Sequence, residues 1–313
     1  MSSSVRPALP SLLAAAGLAV AGCASTSAVE IEPAAGSGTD PATPVTVVAT
    51  AYPMEYLAAR VGGGLVTVEN LTLAGNQPHD LEISPADAAR VREEAALIVY
   101  IDHFQGSVDA LVAEAGVPAF DMKGSGDALE REGIDAQDTE ALELDPHVWF
   151  DPLRMSVAAQ DLAAELTAVH PEGSETFQAN ADAFSAELTA LDAAYTEGLS
   201  SCERDVIVVS HEAYGYLEAA YGLEQAGLQG FDPEIEPSPA TVREIEEVIT
   251  TNGVTTIFIE TMLSPDVAEV LADDLGIETA LLSPLEGGPE GGGDYLSTME
   301  SNLEALRAAL GCA

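Results

Sequence analysis

Three of the five histidines in this sequence of 313 residues stand where an imidazole can bind a ligand. His79 follows an apolar run by a short loop, His147 lies in an Asp-Pro-His turn, and His211 directly follows the apolar run 206–210. Their spacing of roughly 65 residues fits one ligand per structural unit and differs from the close spacing of a zinc finger. Imidazole nitrogen suits Zn, Cu, Fe and Ni, and three neutral imidazoles supply most of a tetrahedral shell. A single histidine is more often an ordinary core or surface residue, so a metal site requires that the fold bring all three together.

The elements around these histidines alternate between strand and helix, which predicts parallel strand pairing in both halves of the chain. The predicted strands are 45–50, 65–73, 97–101, 205–210, 223–228, 254–260 and 279–282. The predicted helices are 54–61, 84–95, 153–170, 172–197, 213–220, 239–252, 265–276 and 295–310. Residues just beyond the carboxyl ends of parallel strands line ligand crevices, and His79 and His211 occupy such positions.

The predicted helix 172–197 divides the two halves. Its apolar residues recur at spacings of four and three, the pattern of one face buried along its whole length: Phe177, Ala181, Phe184, Leu188, Leu191 and Tyr195. At 1.5 Å per residue the helix would be roughly 39 Å long, more than one small lobe needs. We therefore predict lobes at 45–171 and 199–313 joined by a spine at 172–198, with an ordinary long surface helix as the alternative.

The N-terminus has the pattern of an export signal. Arg6 precedes an apolar run at 9–20, which is shorter than the roughly 20 residues of a membrane span. The run ends in Val-Ala-Gly-Cys, which resembles a bacterial lipobox, so we expect a signal peptide at 1–22 and lipidation of Cys23. A flexible linker at 23–44 would then tether the chain to the outer face of the cytoplasmic membrane, and the alternative location is the periplasm. The alternative is a plain secretory signal with an incidental cysteine.

The other two cysteines are Cys202 and Cys312. Export places them in an oxidising compartment, where two remaining thiols are expected to pair. We therefore predict a Cys202–Cys312 disulfide with a structural role, and the alternative is two unpaired buried thiols.

The net charge of −43 and the single lysine argue against nucleic acid and anionic lipid headgroups as partners, because both require clustered cations. A negative surface can also concentrate metal cations. Here the acidic residues are spread over the whole chain. This distribution favours adaptation to salt, or an acidic composition common to the exported proteins of the lineage, over a metal-concentrating field as the reason for the charge.

Several passages, in order along nearly all of the mature chain, resemble the metal-binding solute-binding proteins of ABC importers, the family of ZnuA and TroA. The passages are Asn76–Asp80, Ser84–Asp87, Asp145–Trp149, Val209–Tyr216, Pro237–Pro239, Ile257–Glu260 and Pro284–Gly287. The resemblance implies an α/β fold of two pseudo-symmetric lobes with parallel sheets, joined by one long spine helix. It also implies that metal binds between the lobes, with His79 and His147 from the first and His211 from the second.

The same resemblance implies a carrier without catalytic activity, which delivers its metal to an ABC permease in the membrane and acts as a monomer. Manganese-binding relatives typically have a carboxylate at the third position, whereas zinc-binding relatives have histidine there. His211 therefore favours Zn²⁺ as the transported ligand, with Mn²⁺ as the alternative.

The resemblance leaves the fourth ligand open. The family often has Asp where this sequence has Ser283, and Glu260, at the end of a predicted strand, could reach the metal in its place. A water molecule is an alternative fourth ligand, and an equal alternative is that Glu260 orients a ligand imidazole from outside the metal shell. The loop 124–142, rich in histidine in many zinc-specific relatives, has none here.

Two other functions compete with transport. A metal-dependent hydrolase also uses three histidines and an open position, with Glu212 beside His211 as a conceivable base, but the sequence contains no His-Glu-x-x-His motif. A surface adhesin with a structural metal is the second competitor.

Overall fold

The computed structural model describes residues 43–73, 76–125, 145–233, 235–289 and 292–313. Cys23, the signal peptide 1–22, most of the linker 23–44 and most of the loop 124–142 lie outside these ranges. None of the described helices combines the length and the apolar character that crossing a membrane requires.

The first lobe, called the N-lobe below, is built on a parallel sheet of four strands in the order β2-β1-β3-β4. Its strands are β1 (Val45–Ala49), β2 (Val66–Asn70), β3 (Ala95–Tyr100) and β4 (Ala119–Asp121). Its helices are α1 (Tyr52–Gly62), α2 (Pro85–Glu94), α3 (Gly106–Ala115) and α4 (Pro152–Val169). A 3-10 turn at Val148–Phe150 precedes α4.

The second lobe, the C-lobe, repeats this design with a parallel sheet in the order β6-β5-β7-β8. Its strands are β5 (Val206–His211), β6 (Glu224–Gln229), β7 (Thr256–Ile259) and β8 (Glu278–Leu281). The helices of this half are α6 (Gly215–Tyr221), α7 (Pro239–Asn252), α8 (Asp266–Leu275) and α9 (Tyr295–Leu310). In both sheets all strand pairs are parallel, so the carboxyl ends of the four strands lie along one edge of the sheet.

The long helix α5 (Ser174–Leu199) separates the two sheets in the chain. The residues that the heptad-like spacing predicted to be buried are all buried, from Phe177 to Tyr195. The hydroxyl of Tyr195 donates to the backbone oxygen of Met299 at 2.7 Å and so attaches α9 to this helix. One apolar core runs through both lobes and α5. The prediction of two α/β lobes with parallel sheets is confirmed, while the domain limits at 171 and 199 stay predictions.

Differences from the predicted elements are local. The strand expected at 65–73 covers only Val66–Asn70, because Gly63–Leu65 forms a 3-10 turn and the chain leaves the sheet after Asn70. Helix α3 was not predicted: it begins with Gly and Ser, has no side-chain cap, and buries only Val108 and Leu111. A helix this short depends on tertiary packing more than on its own propensity.

Cys202 and Cys312 are joined by a disulfide. The bridge lies just beyond the C-terminal end of α9, where the backbone oxygen of Leu310 also accepts hydrogen bonds from the backbone N–H groups of Glu203 and Arg204. The last helix is therefore attached both covalently and by hydrogen bonds to the segment that leads into β5.

Candidate metal centre

Three imidazoles and one carboxylate converge at the junction of the two lobes. The Nε2 atoms of His79, His147 and His211 lie 3.0, 3.1 and 3.0 Å from the same atom, Oε1 of Glu286. The four donor atoms all lie within 4.8 Å of one another. The side chains of His147 and His211 are fully buried, that of Glu286 is 2% exposed, and that of His79 is 10% exposed.

His79 lies in the loop between β2 and α2. Gln105 supports this loop, since its side-chain amide donates to the backbone oxygens of Pro78 at 2.7 Å and Thr50 at 3.1 Å. The ring of Phe104 packs edge-on against His79 with 4.7 Å between ring centroids. The imidazole is therefore positioned by an aromatic contact and by the backbone that carries it.

His147 is oriented by a carboxylate. Oδ1 of Asp145 accepts hydrogen bonds from both the backbone N–H of His147 at 2.8 Å and its ring Nδ1 at 2.6 Å. This pairing directs Nε2 to the centre of the cluster. Gly215 of the C-lobe approaches from the other side, and a Cβ at that position would lie 2.5 Å from Oδ2 of Asp145. Only glycine allows this close approach between the lobes.

His211 is the last residue of β5, and Glu260 directly follows the neighbouring strand β7. Oε1 of Glu260 lies 2.6 Å from Nδ1 of His211, on the opposite side of the ring from the cluster. Glu260 therefore lies outside the group of four converging donors in this geometry, while the choice of residues that bind metal stays a prediction. The alternative role of Glu260, orienting a ligand imidazole, is the one that its position favours.

The carboxylate at the centre is Glu286, which the sequence reasoning did not select. Leu285 before it has a positive φ of 61°, a left-handed conformation that costs a branched residue about 1–2 kcal/mol. Such strain persists only where surrounding contacts enforce it, and here it directs Glu286 into the cleft. Ser283, which stands where the family often has Asp, is hydrogen-bonded to the side chain of Asn302 through both its backbone N–H and its backbone oxygen.

A sequence signal for Glu286 did exist. It stands in the Pro284–Gly287 passage that contributes to the family resemblance, and it is the acidic residue in an otherwise apolar turn. The carboxylate lies three residues after Ser283, the position at which the family often has Asp.

Opposite charges dominate the electrostatics of this buried cluster. Burial acts to lower the pKa of His211, but the carboxylates of Glu260 and Glu286 outweigh burial and raise it to about 10. Burial also acts to lower the pKa of His147, but Asp145 and Glu286 outweigh burial, so this pKa is raised as well. Burial would raise the pKa of Glu286, but His211 and the imidazole hydrogen bonds hold it well below its usual range. The central carboxylate is therefore ionised and available as a ligand.

The remaining histidines lie elsewhere. His103 is 72% exposed, in a surface group with Asp102 and Asp109. The ring of His170 packs against Phe177 at the start of α5. The carboxylate of Glu212, the residue considered as a catalytic base, accepts a hydrogen bond from the backbone of Gly227.

Two lobes with a buried group of three imidazoles and a carboxylate between them define a two-lobed binding protein with donors suited to a transition metal. Residues 47–309 match the family model described as "Zinc-uptake complex component A periplasmic". The chain belongs to this family, as the resemblance in the sequence implied.

Named relatives agree with this assignment. The chain is 33% identical over 276 residues to the zinc-binding lipoprotein AdcA of Streptococcus pneumoniae, a match that covers 84% of this chain and 55% of AdcA. The chain thus spans about half the length of this relative. It is 28% identical to the high-affinity zinc uptake system protein ZnuA of Bacillus subtilis, with 96% of both chains covered.

Solved structures share the fold. The Zn(II)-bound ZnuA-like domain of S. pneumoniae AdcA superposes with a TM-score of 0.72 at 33% identity, covering 85% of this chain and 99% of that domain. The laminin-binding protein Lmb of Streptococcus agalactiae, described as a bifunctional protein with adhesin and metal transporting activity, gives a TM-score of 0.75 at 31% identity. That match covers 85% of this chain and 99% of Lmb.

Proposed function

We propose that this chain is the substrate-binding component of a zinc importer, which captures Zn²⁺ with His79, His147, His211 and Glu286 and delivers it to an ABC permease. The observation that carries the proposal is the convergence of three Nε2 atoms from both lobes on one carboxylate oxygen. Zinc-binding names among the relatives support it.

The donor set supports zinc over manganese. Three imidazoles and one carboxylate fill a four-coordinate shell of the kind that Zn²⁺ prefers, whereas Mn²⁺ favours more oxygen ligands. For a nitrogen-rich site the affinity order of divalent metals also places zinc above manganese.

Titration calorimetry of the metal-free protein with each ion tests the proposal. We expect one Zn²⁺ per chain, reversible on addition of a chelator, and much weaker binding of Mn²⁺. Binding of Mn²⁺ that equals or exceeds that of Zn²⁺ would refute zinc as the cargo. Zinc that a strong chelator cannot remove from the folded protein would indicate a structural metal instead.

Catalysis is not part of the proposed function. A catalytic zinc site keeps an open position for water, whereas the four donors here suffice for a four-coordinate shell, and none of their side chains is more than 10% exposed. Zinc-dependent hydrolysis of esters or peptides that is lost in His147→Ala would overturn this part.

The export and anchoring of the chain also belong to the proposal. Lipidation of Cys23 would keep the binding lobes beside the permease at the outer face of the membrane, and the name of AdcA as a lipoprotein supports it. Release of Cys23→Ser protein from the membrane fraction would support the anchor, and unchanged membrane retention would count against it.

Glu260→Gln is expected to weaken zinc binding by about 10- to 100-fold, the usual cost of losing a carboxylate that orients a ligand imidazole. The amide keeps the shape of the side chain but gives up the charge that faces Nδ1 of His211. Glu246→Gln, on the exposed face of α7, is the matched control and should bind zinc like the wild type. Calorimetry or competition with a zinc chelator measures both variants, and equal affinities would exclude a role for Glu260.

A further inference from the structure

We infer that the N-lobe positions Glu286, although Glu286 follows the last strand of the C-lobe in the chain. The four donors then divide into a group of three held by the N-lobe, His79, His147 and Glu286, and His211 alone on the C-lobe sheet. This inference rests on the proposed zinc site and adds positioning residues to it.

The turn that carries Glu286, residues 284–288, is hydrogen-bonded to the N-lobe at Pro284 and at Glu286. The indole Nε1 of Trp149 donates to the backbone oxygen of Pro284 at 2.9 Å. The backbone N–H of Tyr52, the first residue of α1, donates to the backbone oxygen of Glu286 itself at 3.2 Å. A Cβ at Gly288 would lie 3.5 Å from the ring of Tyr52. The backbone of the turn is therefore registered against α1 and the 3-10 turn that follows His147.

The start of α9 is attached to the same lobe. The hydroxyl of Tyr295 donates to the backbone oxygen of Trp149 at 2.6 Å, and both residues are fully buried. The hydroxyl of Tyr56 in α1 donates to the carboxylate of Asp294 at 3.1 Å and accepts from Arg60 at 2.8 Å. Two hydroxyls therefore join the first residues of α9 to the N-lobe.

Helix α9 also holds Ser283, the residue directly before this turn. The side chain of Asn302 accepts from the backbone N–H of Ser283 at 2.9 Å and donates to its backbone oxygen at 2.8 Å. Hydrogen bonds to the sheet and to Tyr214 of the C-lobe reach the preceding residue, Leu282, whose N–H donates to Ile259 and whose oxygen accepts from Tyr214. Beyond that point Gly287 packs against the thioether of Met262 in the C-lobe, a contact without the directionality of a hydrogen bond.

The hydroxyl of Tyr295 is thus a positioning group for Glu286 that lies outside the metal cluster. It acts through Trp149, which bonds both the start of α9 and Pro284. Loss of this hydroxyl leaves every proposed ligand in place but loosens the frame that holds one of them. We expect Tyr295→Phe to weaken zinc binding by about 10-fold, the lower limit for groups that orient a ligand, mainly through faster zinc dissociation.

A double-mutant cycle separates positioning from a general structural effect. Zinc affinity and dissociation rate are measured by chelator competition and stopped flow for the wild type, Tyr295→Phe, Glu286→Gln and the double variant. If Tyr295 acts through Glu286, its substitution costs about 10-fold in the wild type and little in the Glu286→Gln background, because the effects of coupled residues are not additive. Equal losses in both backgrounds would overturn the inference while leaving the zinc site intact.

Tyr195→Phe is the matched control. Tyr195 is also a fully buried tyrosine whose hydroxyl donates to a backbone oxygen of α9, that of Met299 at 2.7 Å, but it bonds α5 and not the N-lobe frame of the turn. It should lose stability without losing zinc affinity. A loss of zinc affinity equal to that of Tyr295→Phe would overturn the inference. Unchanged affinity in Glu286→Gln alone would overturn both the inference and the proposed role of Glu286 as a ligand.

Discussion

Alanine in place of His79, His147 or His211 is expected to lower zinc affinity by more than about 100-fold in each case, because groups that merely orient a ligand already cost about 10- to 100-fold. Each substitution removes one of four donors and leaves Glu286 with fewer cationic or metal partners in a buried site. The three losses should be similar in size, since the three Nε2 atoms lie at nearly equal distances from the shared carboxylate oxygen.

The cost to folding should differ among the three variants. His147→Ala and His211→Ala each leave a buried carboxylate, Asp145 or Glu260, without its imidazole, and an uncompensated buried charge is costly. His79 has an aromatic neighbour at its ring and is partly exposed, so His79→Ala should remain closest to the wild type in metal-free stability. It is the variant that separates binding from folding most clearly.

His103→Ala is the matched control for this series, because His103 is 72% exposed and lies outside the four-donor cluster, where its ring pairs with Asp102 and Asp109. Calorimetric zinc titration, with thermal denaturation of each metal-free variant, decides the result. A folded His79→Ala protein that binds zinc with wild-type affinity would remove His79 from the site.

Loss of the disulfide is expected to lower the free energy of unfolding by about 2–5 kcal/mol. Cys202 and Cys312 are 110 residues apart in the chain. On the chain-entropy account, a crosslink that closes a loop of about 100 residues contributes about 4.7 kcal/mol, because it removes many conformations from the unfolded chain. The double variant Cys202→Ser, Cys312→Ser avoids a lone reactive thiol and is the appropriate protein to measure.

Urea denaturation of the metal-free proteins measures this loss, because bound zinc would itself stabilise the folded state by mass action. Wild-type protein with the bridge reduced should show the same loss as the double variant. Zinc affinity, measured without denaturant where both proteins are folded, should change little, since neither cysteine belongs to the metal cluster. An unfolding free energy equal to that of the oxidised wild type would show that the bridge contributes nothing to stability.

The contrast between Glu260 and Glu286 shows where reasoning from the sequence reached its limit. Glu260 follows a buried strand, and strand ends are where ligands of parallel sheets are sought. Glu260 does lie beside the donor cluster, but the ring of His211 stands between its carboxylate and the other donors. Which ring nitrogen of an imidazole a carboxylate contacts depends on the directions of both side chains, and local sequence patterns do not reveal these directions.

Glu286 was missed for a related reason. Its position depends on the left-handed backbone of Leu285 and on hydrogen bonds from Trp149 and Tyr52. These donors come from residues more than a hundred positions earlier in the chain. No local pattern around Glu286 reveals them.

Local patterns, in contrast, predicted the lobes, and they marked His79, His147 and His211 as candidates that the family resemblance then joined into one predicted site. The alternation of strand and helix predicts two parallel sheets, the four-and-three spacing predicts the buried face of α5, and the strand ends mark His79 and His211. These features follow from periodicity and burial within short stretches of chain. The number of cysteines and the export signal likewise led to the Cys202–Cys312 pair.

Only the tertiary structure decided how the site is completed. It brings His79, His147 and His211 within reach of one carboxylate, assigns that position to Glu286, and places Glu260 behind His211. The physical reason is that donor geometry depends on contacts between elements that are distant in the chain. A small difference in the direction of one side chain decides whether it contributes a donor or only orients a neighbouring donor. The sequence determined which elements form and where donors stand on them, and packing between the lobes selected which donors meet.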